Sequence, residues 1–163
     1  MGESCSLCIL DGIEIVYVCR VAVSRLISTN LSIGSKLPAC PTALGRVLLA
    51  QKSEQDLKSL LANITLQKYT RNTVVDKRKF LRIIKQTRAD GFCLIDQELE
   101  AGLLGLAVPV CRGAEGFAAI GVSVHAGRVS ARELTSRLLP ILKETANAIN
   151  LGMTRLASHG QVV

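Results

Sequence analysis

The chain has 163 residues, of which 48% are hydrophobic and only 3% aromatic. This length suits one domain with a substantial core, and the apolar content excludes a disordered chain. Because the chain lacks tryptophan and has few other aromatic residues, a stacking surface for single-stranded nucleic acid is not expected. The formal net charge of +7 permits contact with nucleic acid but does not require it.

The sequence predicts a cytoplasmic protein without membrane contact. No apolar run reaches the roughly 18–20 residues that a membrane-spanning helix needs. The N-terminus, Met1-Gly2-Glu3, lacks the basic region of a secretory signal. The six cysteines are therefore expected to be reduced. Cys5 and Cys8 have the spacing of a CxxC pair, but they stand without a second pair or a neighbouring His, which favours packing over a zinc or redox role.

The first half of the chain predicts strands followed by helices. Residues 6–10 and 13–21 are rich in Ile, Val, Tyr and Cys, and Asp11-Gly12 between them indicates a hairpin. A further extended segment is predicted over residues 26–33, and a loop over 34–38. Capping and periodicity predict three helices, over residues 42–51, from a cap at Ser53, and over residues 76–90 with Gly91 as the stop.

The second half predicts three strands and a long final helix. The strands cover residues 92–98, 103–111 and 117–125, with a loop over 112–116. The helix starts after Ser130 and ends near Ala157, with a kink or break at Pro140. Because strands and helices occur in groups and do not alternate, this order predicts an α+β fold with an antiparallel sheet.

Small residues occupy one face of two predicted strands. Gly105 and Ala107 share a face of the first, and Ala119, Gly121 and Ser123 share a face of the second. If the hairpin pairs like with like, the small side chains form one patch. Such a patch leaves room either for a helix to pack closely or for a ligand.

The predicted helix that follows Pro41 favours the ligand. Backbone N–H groups in the first turn of a helix lack internal partners, and small residues at Ala43 and Gly45 would let an anion approach them. A carboxylate is the natural guest. Thr42 is otherwise the helix N-cap, with its hydroxyl already bonded to the backbone.

Two further features carry open alternatives. Asp96, Glu98 and Glu100 form an alternating acidic run, which indicates a polar strand end or, less simply, a carboxylate pair for acid–base or metal chemistry. Cys40 precedes a helix start, where thiol pKa values fall, so it is either a redox-active nucleophile or a packing thiol.

Seven basic residues fall between Arg71 and Arg88, with Asp76 as the only acid before Asp90. These residues form either the solvated face of one helix or a docking surface for DNA or an acidic partner.

Several runs together resemble the effector-binding domain of IclR-type bacterial transcriptional regulators, over nearly the whole chain. These runs are Gly34-x-x-Leu37-Pro38-Ala39, Thr42-Ala43-Leu44-Gly45-Arg46-Val47-Leu48-Leu49-Ala50, Asp96-Gln97-Glu98-Leu99-Glu100-x-Gly102-Leu103, Leu106-Ala107-Val108-Pro109-Val110, and the strand over residues 118–123. The residues of the run from Asp96 and of the runs from Leu37 to Ala50 are similar to those of the family branch that regulates β-ketoadipate and related aromatic-acid catabolism.

The resemblance implies a GAF-like domain over residues 1–157, with an antiparallel sheet of about six strands flanked by helices, and a tail over 158–163. It implies an effector pocket between the sheet and the loop and helix from Ala39 to Gly45, where Ala43 and Leu44 offer backbone donors. The residues expected to bind the effector are Ala39, Cys40, Thr42, Ala43, Leu44, Gly45, Ile95, Asp96, Gly105, Ala107, Gly121 and Ser123.

The resemblance also implies partners. The ligand is a small carboxylate such as a hydroxybenzoate, and the chain associates with itself as a dimer or tetramer. Contact with DNA comes only from an N-terminal winged helix-turn-helix domain, which this chain does not include. No cofactor, metal or catalytic residue is expected. The alternatives are a GAF-fold thiol enzyme such as a sulfoxide reductase that uses Cys40, and an oligomerisation module with a collapsed pocket.

Overall fold

The computed structural model describes residues 3–21, 31–112 and 115–159. Its strands are β1 (Ser4–Asp11), β2 (Glu14–Val21), β3 (Lys36–Pro38), β4 (Cys93–Asp96), β5 (Leu103–Arg112) and β6 (Glu115–His125). Its helices are α1 (Ala43–Leu49), α2 (Glu54–Ala62), α3 (Lys77–Asp90) and α4 (Ala131–His159). Among these helices, none combines the length and the apolar character needed to cross a bilayer.

The strands form one antiparallel sheet in the order β3-β2-β1-β6-β5-β4. Helices cover both of its faces, which confirms the predicted α+β, GAF-like architecture. The first hairpin turns at Gly12-Ile13, because Asp11 pairs with Glu14. The turn therefore lies one residue later than the predicted Asp11-Gly12, and Gly12 takes the positive φ of 61° that the turn requires.

Three predicted boundaries differ from the structure. Of the extended segment expected over 26–33, residues 26–30 lie outside the described part, and 31–33 form no strand. The strand is instead β3, in the region predicted as loop, where Pro38 is tolerated because β3 is an edge strand. β4 ends at Asp96, short of the predicted residue 98, because Gln97 has a φ of 57° and turns the chain away.

The pairing of β5 with β6 places small residues opposite small residues, which is the register that the predicted patch depends on. Gly105 pairs with Ser123, and Ala107 pairs with Gly121. The large side chains of both strands lie on the opposite face beneath α4, in a cluster with Leu134, Leu138 and Leu142 of that helix. Two separate apolar clusters therefore cover the two faces of the sheet.

The final helix α4 differs from its prediction in two respects. It runs through Pro140, which is exposed, so the break that the sequence allowed as one of two alternatives does not occur. It also continues to His159, two residues beyond the predicted end of the domain. Residues 160–163 of the predicted tail lie outside the described part of the chain.

Helix α1 lies between the small-residue face of the sheet and α3, and all seven of its residues are buried. It begins at Thr42, whose side chain accepts a hydrogen bond from the Gly45 N–H at 3.0 Å. The first turn packs directly on the preceding loop: a Cβ at Gly45 would lie 2.1 Å from the carbonyl oxygen of Ala39. Glycine is therefore required here by a close backbone approach.

The contact between Gly45 and Ala39 predicts a specific cost. We expect Gly45→Ala to lower the free energy of unfolding by about 3 kcal/mol or more, because the added methyl group meets backbone that cannot move aside as a side chain could. The matched control is Gly152→Ala, in open space within α4, which should raise stability by about 0.5–1 kcal/mol. Urea denaturation of both variants measures the difference, and equal stabilities would contradict the prediction.

Candidate functional site: a cavity between helix α1 and strand β2

A cavity of about 290 Å³ opens between the sheet, the start of α1 and the loop after β4. Its walls are mainly apolar, with a few polar groups that converge on the interior. The lining residues are Tyr17, Arg20, Leu31, Leu37, Thr42, Ala43, Leu44, Ile95, Leu99, Glu100, Leu103, Gly105, Leu106, Val122 and Ser123. The volume lies at the lower end of the range of roughly 300–1,000 Å³ that small-molecule sites occupy.

Half of the residues predicted from the sequence line this cavity. Those that do are Thr42, Ala43, Leu44, Ile95, Gly105 and Ser123. Those that do not are Ala39, Cys40, Gly45, Asp96, Ala107 and Gly121. Ala39 and Gly45 lie behind the wall, packed against each other. Asp96 is exposed at the end of β4 and accepts a hydrogen bond from the Gln97 side chain.

The small-residue stripe satisfies both interpretations that the sequence allowed, in different places. At Gly121 the helix packs closely, since an added Cβ would lie 3.1 Å from Cδ2 of Leu44. At Gly105 and Ser123, further along the same face, the stripe lines the cavity. The stripe therefore positions α1 at one end and leaves room for a ligand at the other.

The Thr42 hydroxyl is already used within the protein. It donates to the carbonyl oxygen of Ala39 at 3.0 Å and accepts from the Gly45 N–H at 3.0 Å. Thr42 is thus the helix cap that the sequence allowed as the simpler interpretation. Its contribution to the cavity is a wall surface, and the polar groups that remain for a ligand belong to other elements.

A β-bulge in β2 brings two polar side chains into the cavity. Leu7 pairs with Cys19 and Cys8 pairs with Tyr17, which leaves Val18 without a partner. Side chains alternate along a regular strand, so Tyr17 and Arg20 would point to opposite faces. The extra residue changes the parity, and both side chains face the cavity.

Arg20 is the polar group that the sequence analysis missed. Its Nη1 donates to Oγ of Ser6 at 3.3 Å, and its guanidinium carbon lies 5.7 Å from the centre of the Tyr17 ring. Its Nε is buried and has no hydrogen-bond partner; no other side-chain N or O of the described residues is both buried and unpartnered. Burial raises the pKa of Tyr17 to about 12, so its hydroxyl stays protonated as a donor at physiological pH.

Sequence comparison identifies the family. The family described as bacterial transcriptional regulator IclR C-terminal matches residues 1–151 of the chain. The chain belongs to this IclR family. A Pca regulon regulatory protein of Pseudomonas putida is 43% identical over 144 residues, covering 87% of this chain and 50% of that protein. The p-hydroxybenzoate hydroxylase transcriptional activator of Acinetobacter baylyi is 31% identical over 151 residues, covering 88% of this chain and 55% of that protein.

A solved structure shows the same domain with a ligand. It is the inducer-binding domain of a double mutant of the PobR transcription factor from Acinetobacter, in complex with 3-hydroxybenzoic acid. It superposes with a TM-score of 0.86 at 29% identity, covering 91% of this chain and 87% of that one. This chain spans about half the length of the curated relatives it matches. These relatives are named as regulators of transcription, and none of them is named as an enzyme.

In this IclR domain, a buried ion pair joins α1 to the loop after β4. The two terminal nitrogens of the Arg46 guanidinium donate to the Glu98 carboxylate, Nη1 to Oε1 at 2.7 Å and Nη2 to Oε2 at 2.6 Å. Nε of Arg46 donates to the carbonyl oxygen of Cys40 at 2.8 Å. The guanidinium carbon of Arg46 lies 5.4 Å from the centre of the Phe80 ring. Glu98 is therefore committed to structure, so this carboxylate is not free for the acid–base or metal chemistry that the acidic run allowed.

The loop after β4 is braced from the outside as well. The hydroxyl of Thr73 donates to the carbonyl oxygen of Glu98 at 2.6 Å, and the Val74 N–H donates to its Oε2 at 3.0 Å. The hydroxyl of Thr70 donates to the carbonyl oxygen of Gln97 at 2.6 Å. Since Leu99 in this loop lines the cavity, the braces and the ion pair together hold one cavity wall in place.

Cys40 does not support the thiol-enzyme alternative. It lies outside the effector-sized cavity, beside a separate small hollow lined by Pro38, Pro41 and Ile64. Burial raises the pKa of its thiol to about 11, and the positive charge of Arg46 lowers it only in part. The expectation that a helix start lowers this pKa is wrong here, because the loss of solvation outweighs the local electrostatic field.

The ion pair predicts a large energetic coupling. We expect Arg46→Met to lower the free energy of unfolding by about 3–5 kcal/mol, because it leaves a carboxylate buried without its partner. The double variant Arg46→Met/Glu98→Met should be less destabilised than the sum of its single variants by at least about 1 kcal/mol. A double-mutant cycle by urea denaturation measures this. Additive effects would show that the two side chains are not coupled.

The raised pKa of Cys40 predicts slow alkylation. At about pH 8 its thiol should be ionised to about one part in a thousand, so iodoacetamide should modify the exposed Cys19 first. Mass spectrometry of peptides after timed alkylation follows both sites. In denaturant the two cysteines should react at similar rates. Rapid modification of Cys40 in the native protein would contradict the prediction.

Proposed function

We propose that this chain is the sensor domain of a transcriptional regulator, and that its effector is a small aromatic acid whose carboxylate binds Arg20. The observation that carries the proposal is the buried Nε of Arg20, which lacks a hydrogen-bond partner at the wall of a mainly apolar cavity. An unsatisfied buried donor costs about 1–3 kcal/mol, more when it is charged. A carboxylate removes this cost with a charge-assisted hydrogen bond.

The rest of the cavity suits an aromatic ring. Leu37, Leu44, Ile95 and Leu99 supply flat and branched apolar surfaces on several sides. The small residue Gly105 leaves space beneath the ring. The hydroxyl groups of Tyr17 and Ser123, which also line the cavity, can form hydrogen bonds to a ring substituent. The printed ligand of the PobR domain, 3-hydroxybenzoic acid, has this combination of one carboxylate, one ring and one hydroxyl.

Arg20 is a stronger candidate for the anion than the helix start that the sequence suggested. Helix α1 has seven residues, so its dipole sums few peptide units. The third N–H of the helix, at Gly45, is already bonded to Thr42. A guanidinium carries a full charge and can bind a carboxylate through two parallel hydrogen bonds.

Signal transmission follows from the elements that meet at the ligand. A bound acid would contact β2 through Arg20, α1 through Leu44 and the braced loop through Leu99. The ligand would favour the arrangement in which these three walls are closest. In the full regulator this population shift would reorient attached DNA-binding domains.

The proposal includes a cytoplasmic location and assembly as a dimer or tetramer. Light scattering measures the mass of the assembly and so tests the oligomeric state. The open cavity does not fit the alternative of a collapsed pocket.

The charge of the effector predicts a ligand series. 3-Hydroxybenzoate and 4-hydroxybenzoate should raise the melting temperature of the chain, and the corresponding uncharged benzamides should not. In calorimetry, Arg20→Gln should weaken binding of the acids by about 10- to 100-fold, as expected for loss of a charged hydrogen bond worth about 1.5–3 kcal/mol. Arg20→Lys should retain part of the affinity, since it keeps the charge but loses the planar fork.

The matched control for this series is Arg128→Gln. Arg128 pairs with Glu3 at 2.7 Å and lies outside the cavity lining, so its loss should leave ligand affinity unchanged. Two outcomes count against the proposal. Binding of neither acid to the native chain would refute the aromatic effector, and full affinity in Arg20→Gln would refute the role of Arg20 alone.

A further inference from the structure

The outer face of α3 carries cations that have no ion-pair partner among the residues that the structure describes. The helix packs inward through Phe80, Ile84 and Thr87. Four exposed cations point away from that core, at Arg78, Lys79, Arg82 and Lys85. None of the ion pairs found within the described residues involves them.

These charges oppose the stability of the helix that carries them. The first turn contains basic residues and no acidic one, although a helix N-terminus favours negative charge. Arg78 and Arg82 are four residues apart, and Arg82 and Lys85 are three apart, so like charges face each other along the helix. A sequence that keeps a local arrangement against its own stability indicates a function for it.

The neighbouring basic residues show what a structural role looks like. Arg88 donates to the carbonyl oxygens of Ala50 at 2.7 Å and Lys52 at 2.6 Å, and so joins α3 to the end of α1. Lys77 donates to the carbonyl oxygen of Ala62 at 3.3 Å. Within residues 3–21, 31–112 and 115–159, the side chains of the four outward cations have no such bonds. Their role is therefore directed outside the domain.

We propose that this face, Arg78, Lys79, Arg82 and Lys85, contacts the phosphate backbone of duplex DNA without reading its sequence. A row of cations at regular intervals complements a linear polyanion. Phe80, the only aromatic residue of α3, is fully buried, so no base could stack on this face. The face also lacks the exposed apolar or aromatic anchor that a protein partner would use.

The inference differs from the sequence-based expectation that DNA is contacted only through the N-terminal domain. It rests on membership in a family of DNA-binding regulators and on the charges of α3, and it is independent of the effector cavity. A sequence-independent contact would strengthen binding of the parent regulator to any operator and increase its dependence on salt.

The test compares two variants that remove three positive charges each. The first is Arg78→Gln/Arg82→Gln/Lys85→Gln on α3. The second is Arg132→Gln/Arg137→Gln/Lys143→Gln, on α4 across the sheet. Fluorescence anisotropy measures binding of the whole chain to a labelled duplex of arbitrary sequence, between about 25 and 200 mM NaCl.

We expect the α3 variant to bind at least about tenfold more weakly, with a log–log salt slope reduced by about 2–3, and the α4 variant to change affinity less than about threefold. The α3 variant should also melt at a higher temperature, because it relieves repulsion. Higher stability with lower affinity excludes misfolding as the cause.

Three results would overturn the inference. The first is an equal loss in both variants, which would assign binding to net charge alone. The second is the absence of duplex binding by the native chain at the lowest salt. The third is displacement of the duplex by poly-glutamate at equal charge concentration, which would assign the face to an acidic polypeptide.

Discussion

The bidentate pair between Arg46 and Glu98 determines how the sensing half of this domain is assembled. Helix α1 is buried on all sides, and a buried guanidinium is tolerated only with a charged partner of matching geometry. That partner comes from the loop after β4, 52 positions along the chain. The pair therefore sets the distance between α1 and the loop, and this distance is one dimension of the cavity. The hydrogen bonds from Thr73 and Val74 fix the loop from its other side.

The second constraint is the small-residue face of the sheet. Close packing at Gly121 brings Leu44 of α1 directly against the sheet, and close packing at Gly45 brings the first turn of α1 against the loop at Ala39. At Gly105, next to Ala43 at the start of α1, the same face lines the cavity. One stripe of small residues thus performs two tasks that are separated along the strands. The space for a ligand results from where the helix begins, and the residues of the stripe alone do not define it.

Local features of this fold are readable in the sequence because they depend on neighbours within a few residues. The caps at Ser53 and Ser130 were predicted from capping-box spacing, and each side chain accepts the backbone N–H three residues further on, as expected. The stripe of small residues was predicted from the alternation of side chains between the two faces of a strand. The pairing of β5 with β6 is regular from Leu103 to Val110, so this alternation holds there. Half of the residues expected to bind the effector line the cavity, and they lie in or beside the contiguous runs that carry the family resemblance.

Features that depend on distant partners were not predicted. The pairing of Arg46 with Glu98 joins two motifs that the sequence presents separately. The raised pKa of Cys40 follows from burial, which a helix start does not reveal. Arg20 was not predicted, because regular alternation places Arg20 and Tyr17 on opposite faces and the bulge at Val18 is not visible in the sequence.

The unpaired Val18 of this bulge has an evolutionary consequence. Loss of that single residue would restore regular alternation and turn Arg20 out of the cavity, while the sheet could keep its hydrogen bonds. Under the proposed role of Arg20 in binding a carboxylate, gain or loss of one residue in this hairpin would change the charge preference of the sensor without a substitution in its pocket. Relatives with the same pocket residues could therefore respond to different classes of metabolite, according to the length of one strand.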